Sequence, residues 1–245
     1  MFFHFKSLLY AILFFASFQF VILNPGSIWY IGIFLVILSI WVSKKISRKH
    51  RFAIIPVYFS LSSIILFYLI DLETDQQVFI LLASLVYYFI LLGIFRIKNY
   101  SKDRTARGIL AGGMVATIFM CYAGFYGLYL NFSIPLWLLM LIFLLTTFSL
   151  SHHYLSLLSS DKNKVLSYSL ILGLSMAEIS WVINFWPFGY LTTGVIALIF
   201  YYMFWDIADS YFINKLSRKK IVINLIFFSL LIGLILFSSR WQLAV

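Results

Sequence analysis

The feature that most constrains this chain is an alternation kept up from end to end: long apolar runs separated by short polar punctuation. The runs are Leu8–Leu23, Ile28–Val42, Phe52–Ile70, Val78–Phe95, Ile109–Leu130, Pro135–Leu150, Val165–Ile183, Tyr190–Trp205 and Ile221–Phe237. Crossing the hydrocarbon core of a bilayer takes roughly 20 residues of apolar helix. There, only α-helices and closed barrels satisfy every backbone N–H and C=O, and runs of this length read as helices. Composition removes the soluble alternative: of 245 residues, 63% are hydrophobic and 11% charged, whereas a soluble domain carries roughly 25% charge. The pattern predicts an all-α polytopic transmembrane helix bundle of about nine spans, forming a single integral membrane domain over residues 1–245.

The first two runs are short for a span. Asn24-Pro25-Gly26-Ser27 is a turn signal between them. Lys6 before the pair and Lys44 and Lys45 after it put positive charge on both flanks, which requires an even number of crossings. A cleaved leader would need a small-x-small pattern after its apolar core, and Val21-Ile22-Leu23-Asn24-Pro25 has none, so a retained helix is expected.

Charge fixes the expected orientation. With the N-terminus inside, every one of the 18 Lys and Arg except Arg240 falls in a cytoplasmic segment, while Asp71, Glu73 and Asp75 fall on the opposite side. The C-terminus is then outside. The net charge of +10 is accounted for by orientation and by contact with anionic lipid head groups, and it does not call for nucleic acid. The expected partners are the lipid bilayer and a membrane protein, and the expected location is the plasma membrane of a bacterium. Cys121 is the single cysteine, which excludes an intrachain disulfide, and neither a metal nor a cofactor is expected.

Small residues mark packing faces. In the fifth run Gly108, Gly112, Ala116 and Gly124 fall on one line, with Gly113, Ala123 and Gly127 near it, which predicts a central packing helix intolerant of Gly112→Leu. Ser169, Gly173 and Ala177 make a shorter stripe in the seventh.

Two places hold candidate chemistry. Glu178 lies inside the seventh span, within two turns of its end, where an ionisable side chain costs several kcal/mol (roughly 2.5–3.5 on insertion scales) unless something offsets it. Ser175, Trp181 and Asn184 are its neighbours along the helix, and Thr192 or Thr193 could join from the next one. The expectation is that Glu178 faces the bundle interior, either as a neutral structural hydrogen-bonding group or as a cation or proton site. At the cytoplasmic end of the eighth span, Asp206 and Asp209 share a face at i and i+3, a spacing able to hold a divalent ion, with Lys215, Arg218, Lys219 and Lys220 close by to pair them instead. His152 and His153 end the sixth span about 100° apart around the helix, so at most one of them would join the two aspartates. Trp186, Pro187 and Gly189 form an interfacial turn after Glu178.

Known signatures are mostly absent. Asp103-Arg104-Thr105-Ala106-Arg107 is one residue short of the opening motif of CDP-alcohol phosphatidyltransferases and lacks its Gly and its later aspartates. Intramembrane prenyltransferases also have nine helices, but Ser43–Arg51 contains no acid where their first aspartate-rich loop stands. Asp71-Leu72-Glu73-Thr74-Asp75 is too small a segment for the acidic loop of a membrane glycosyltransferase. No metalloprotease, nucleophile-elbow or phosphate-loop motif occurs. The last third, with Glu178, Trp181 and Pro187, a basic loop, and a final helix ending Ser238-Ser239-Arg240-Trp241, resembles uncharacterised multi-pass bacterial membrane proteins of unknown function. That resemblance implies a membrane protein and no assigned activity. Three classes follow: a non-catalytic membrane component, a small transporter or ion-coupled permease using Glu178, and a lipid-modifying enzyme at the cytoplasmic face using Asp206, Asp209 and a histidine.

Overall fold

The computed structural model describes residues 2–47, 50–100 and 103–238. Arg48, Lys49, Lys102, Ser239, Arg240 and Trp241, which carry part of the charge pattern and of the C-terminal resemblance, lie outside the described residues. Among the described residues there are nine α-helices, α1 (Phe2–Leu23), α2 (Ile28–Ser47), α3 (Ile54–Tyr68), α4 (Glu73–Asn99), α5 (Arg104–Phe132), α6 (Leu136–Leu158), α7 (Lys162–Ile183), α8 (Tyr190–Phe212) and α9 (Arg218–Ser238). With a short helical turn at His50–Ala53 extending α3, all nine are long and apolar enough to cross a membrane. The chain is a multi-pass membrane protein.

The helices outrun the apolar runs because polar residues at their ends stay helical. The run at Ile28–Val42 becomes a helix of 20 residues by continuing through Ser43 to Ser47, and α1 has 22, so both are long enough to span. α6 passes Leu150 to reach Leu158, carrying His152 and His153 within it. Caps set two of the starts. Asp103 accepts hydrogen bonds from the N–H of Thr105 (2.9 Å) and of Ala106 (3.3 Å), and Arg96 binds its other oxygen at 2.8 Å. Asp161 accepts from the Lys164 N–H at 3.2 Å at the head of α7. The Asp103-Arg-Thr-Ala-Arg segment is therefore a helix N-cap.

The chain divides into two compact units, Met1–Cys121 and Tyr122–Val245, and α5 runs through the division. In the first unit α1 lies against α4 and α2 against α3. Buried hydroxyls join three of these helices: Ser39 Oγ is 2.7 Å from Ser60 Oγ and 2.9 Å from Tyr87 Oη. Phe14 stacks on the Tyr87 ring at 4.5 Å, so the polar contact is sealed by aromatics. Close backbone approach here uses Gly113, where an added Cβ would stand 2.5 Å from Ile90 Cγ1. Gly108 and Gly112 have nothing within 4 Å, which corrects the expectation that Gly112 is the intolerant position. Spacing along a helix gives a stripe, but not which neighbour the stripe meets.

In the second unit α6 and α7 form an antiparallel hairpin, and α8 lies against α6, α7 and α9. Ser169, Gly173 and Ala177 are all buried, and a Cβ on Gly173 would meet the Leu144 carbonyl oxygen at 3.0 Å. The small stripe of α7 thus packs on α6. Tyr122 stacks on Phe143 at 4.3 Å and its hydroxyl reaches Thr147 Oγ1 at 2.6 Å. Gly194 of α8 meets Ala123 of α5 so closely that an added Cβ would be 2.9 Å from Ala123 Cα.

Candidate functional site

The two candidate places both lie in the second unit, on α6 to α9. Glu178 is on the face of α7 opposite the small stripe. It is about 140° around the helix from Gly173 at 100° per residue, and it is exposed. The residues that share its face are Ile171 (57% exposed), Leu174, Trp181 (48%), Val182 and, in the turn that follows, Phe185 (71%), an exposed apolar stripe of the second unit. The expectation that Glu178 faces the bundle interior is therefore corrected. The reason lies in α7 itself, whose Ser169, Gly173, Ala177 and Ser180 face takes the close packing and leaves the Glu178 side outward.

The other members of that candidate group disperse. Ser175 is half-buried, Trp181 makes an edge contact with Phe185 at 5.8 Å, and the backbone N–H of Asn184 closes the helix end on Ser180 O at 3.3 Å. Thr193 is buried beside the Tyr126 hydroxyl instead of reaching Glu178, and Thr192 is half-buried.

At the other end of the hairpin, Asp206 and Asp209 diverge. Asp206 turns to α9, where Lys220 Nζ lies 3.4 Å from its Oδ2 and Asn224 Nδ2 donates to the same oxygen at 3.2 Å. Lys220 also donates to Ser210 Oγ, and Asn224 to the Met203 carbonyl at 3.4 Å. Asp209 is half-buried, its Oδ1 without a hydrogen-bond partner among the described residues, and nearby Tyr154 of α6 packs against Trp205 at 5.4 Å. His153 is buried, whereas His152 is half-buried and stacks on Phe148 at 5.7 Å. Neither histidine joins the aspartates: among the described residues, no three His, Cys, Asp or Glu side chains come together as a metal-holding group. The arrangement does what the basic cluster after α8 allows. It neutralises Asp206 with Lys220 and ties α9 to α8.

Both caps on connecting segments carry perturbed carboxyls. Desolvation opposes ionisation of Asp103, but the Ala106 N–H, the Arg96 guanidinium and the Thr105 N–H together hold its carboxyl below the usual range. The Lys164 N–H and ammonium do the same for Asp161.

Two features had no counterpart in the sequence pattern. One is the Ser39–Ser60–Tyr87 contact, since single serines in apolar runs carry no periodic signal. The other is an apolar groove of about 370 Å³ in the first unit, where Gly32 and Trp29 of α2 face Leu61 and Ile64 of α3. Only the missing side chain at Gly32 hinted at it.

Helices of this length, with their close contacts made by small residues and their charges at the ends, define a polytopic α-helical membrane protein. The chain belongs to the family described as "Protein of unknown function (DUF5656)", whose profile matches residues 11–238. The likeness confined by sequence reading to the last third thus extends over nearly the whole chain. No curated protein and no solved structure matches it.

Proposed function

We propose that this chain is a non-catalytic component of the membrane, a helix bundle that acts by contact with other membrane constituents along its outward faces. The observation that carries this reading is the placement of its acidic candidates. Glu178 stands on an exposed apolar stripe, Asp206 is bonded to Lys220 and Asn224, and Asp209 joins no metal-holding group among the described residues. A permease needs its coupling carboxylate in a path between the two sides. A lipid-modifying enzyme needs free acidic ligands for a metal–phosphate contact.

In this proposal the bundle is one membrane domain in a bacterial plasma membrane, with its N-terminus inside and its C-terminus outside. Lys44, Lys45, Lys162, Lys215, Arg218 and Lys219 then meet anionic head groups on the inner leaflet.

Reconstitution in vesicles loaded with a pH-sensitive dye tests the reading. Wild type and Glu178→Gln are expected to show the proton leak of empty vesicles under an imposed gradient and potential. A proton or cation flux above that background, abolished by Glu178→Gln, would make the chain a carrier.

A further inference from the structure

Three buried hydroxyls of the first unit are left out of the hydrogen bonding around them. Ser43, Ser63 and Ser84 are 0%, 0% and 8% exposed, and their Oγ atoms have no hydrogen-bond partner among the described residues. Elsewhere a buried hydroxyl bonds its own helix one turn back, as Ser62 does to the Tyr58 carbonyl, Thr117 to that of Gly113 and Ser169 to that of Val165, each at 2.7 Å. Ser43, Ser63 and Ser84 instead flank the Ser39–Ser60–Tyr87 contact, each one turn from a member of it on the same helix.

Their placement has a direction. The Phe59 and Tyr87 rings are 6.2 Å apart, as are those of Phe67 and Phe79, so α3 and α4 are antiparallel and Ser63 and Ser84 fall at one level between these pairs. Ser39 lies beside Ser60, and a Cβ on Gly32 would stand 3.4 Å from Ile64 Cδ1, so α2 is antiparallel to α3. Leu35 is then near the level of Ser63, while Ser43 is one turn to the other side of the contact. Along α2 the buried face repeats a serine every four residues, at Ser39, Ser43 and Ser47.

We propose that α2 is a sliding element with two registers. In the register described above, Ser39 holds Ser60 and Tyr87. In the other, α2 stands four residues, about 6 Å, further toward its own N-terminal end, a displacement of one turn. Ser43 then takes the place of Ser39 beside Ser60 and Tyr87, and Ser39 moves up to Ser63 and Ser84. The same slide thus gives partners to all three hydroxyls. It goes beyond the non-catalytic reading and does not depend on it.

Both ends of α2 are able to give. They join 3₁₀ turns, Pro25–Ser27 on one side and His50–Ala53 on the other. Such a turn rises about 2.0 Å per residue and extended chain about 3.3 Å, so drawing out the four residues of His50–Ala53 supplies about 5 Å. The groove of about 370 Å³ between α2 and α3 offers room, because Val36 arrives at the place of Gly32 and fills part of it. Leu35 leaves a fully buried place for the half-buried one of Ile31, which costs little where lipid tails are as apolar as the neighbours it leaves. Lys44 and Lys45 are exposed, and they keep their ammonium groups at the surface by extending along the helix. The slide releases Lys98, whose Nζ donates to the Ile46 carbonyl at 2.8 Å, and this bond is the latch of the first register.

Cysteine pairs in a Cys121→Ala chain in lipid vesicles read the register, because a disulfide needs Cα atoms within about 7 Å. Under oxidant, Ser39→Cys with Ser60→Cys is expected to cross-link. Ser43→Cys with Ser60→Cys is expected to cross-link roughly ten-fold faster than Ser47→Cys with Ser60→Cys, since irreversible trapping collects even a register populated at about 1–10%. Adding Ser63→Ala and Ser84→Ala, which removes what holds Ser39 in the second register, should slow the Ser43→Cys pair and leave the Ser39→Cys pair unchanged. Lys98→Met should speed it. A second measurement keeps every serine in place: spin labels at the exposed positions Ile33→Cys and Phe89→Cys, in the Lys98→Met chain, should give two distances, the longer one from the second register.

A Ser43→Cys pair no faster than the Ser47→Cys pair overturns the slide. So does a rate unchanged by Ser63→Ala with Ser84→Ala, which is the result of ordinary breathing of α2. A single spin-label distance overturns it even where a double-cysteine chain fails to fold. Proton flux is read by none of these assays, so the slide and the non-catalytic reading fail separately.

Discussion

Gly194→Ala is expected to destabilise the protein where Gly112→Ala is not. A Cβ on Gly194 would stand 2.7 Å from Ala123 Cβ, 2.9 Å from Ala123 Cα and 3.1 Å from Ala123 N. Unstrained carbon contacts fall at roughly 3.5–4.0 Å, so α8 and α5 would have to part by about 1 Å at this point. No flexible side chain is available to give way, because the opposing atoms are backbone and a methyl group. Overpacking of this kind costs about 1–3 kcal/mol, against which the better helix propensity of Ala restores up to about 1 kcal/mol. A net loss of about 1–2 kcal/mol corresponds to a midpoint lower by roughly 2–8 °C for a chain of this size. Thermal unfolding of the purified protein in micelles, followed by circular dichroism, reads it directly. Gly112→Ala, with nothing within 4 Å, should be neutral or slightly stabilising. Adding Ala123→Gly to Gly194→Ala should recover part of the loss, since it removes the 2.7 Å contact but leaves the 2.9 Å approach to Cα. A Gly194→Ala protein melting at or above wild type would refute the close packing of α8 on α5.

The same assay extends to the polar contacts. Tyr87→Phe, which keeps the stack on Phe14 and loses the hydroxyl bonded to Ser39, should cost about 0.6 kcal/mol and at most about 1.7. Lys220→Met should cost less than about 1 kcal/mol, because the Asp206 and Lys220 side chains are 24% and 42% exposed and solvent screens the pair. Its effect should appear as faster hydrogen exchange at the α8–α9 connection. Asp161 and Asp103 have folded pKa values below their unfolded ones, so their capping contribution is fully present above about pH 4 and is lost as pH falls through the folded pKa. Stability should thus decline in acid, and Asp161→Ala should flatten that decline while leaving the neutral-pH curve parallel to wild type.

The nine long apolar helices were legible because hydropathy reports burial in lipid without reference to neighbours. Helix ends were less so: Glu73–Gln77 and Ser151–Leu158 are polar or mixed and still helical, and hydropathy does not see the local contacts there, such as Gln76 Nε2 donating to the Ile70 carbonyl at 2.7 Å. Azimuth was not legible at all. Gly112 and Gly113 differ by one position, and one faces open space while the other meets Ile90. The same gap accounts for Glu178. Energetics required a partner for it, and the sequence offered only the chain's own residues, whereas the fold turns it outward. Asp206 was the opposite case, since its basic neighbours were visible in sequence and Lys220 is the one that pairs with it.

The central claim is that all nine helices cross the membrane in alternation, and cysteine accessibility in sealed membranes tests it most directly. Cys121 is fully buried and supplies a silent background. Single cysteines at Ser27, Thr74, Ser133 and Phe185 should react with an impermeant maleimide added outside. Those at Asn163 and Ser217 should react only after the membrane is opened. Labelling of Asn163 and Thr74 from the same side of intact membranes would contradict the nine-span bundle.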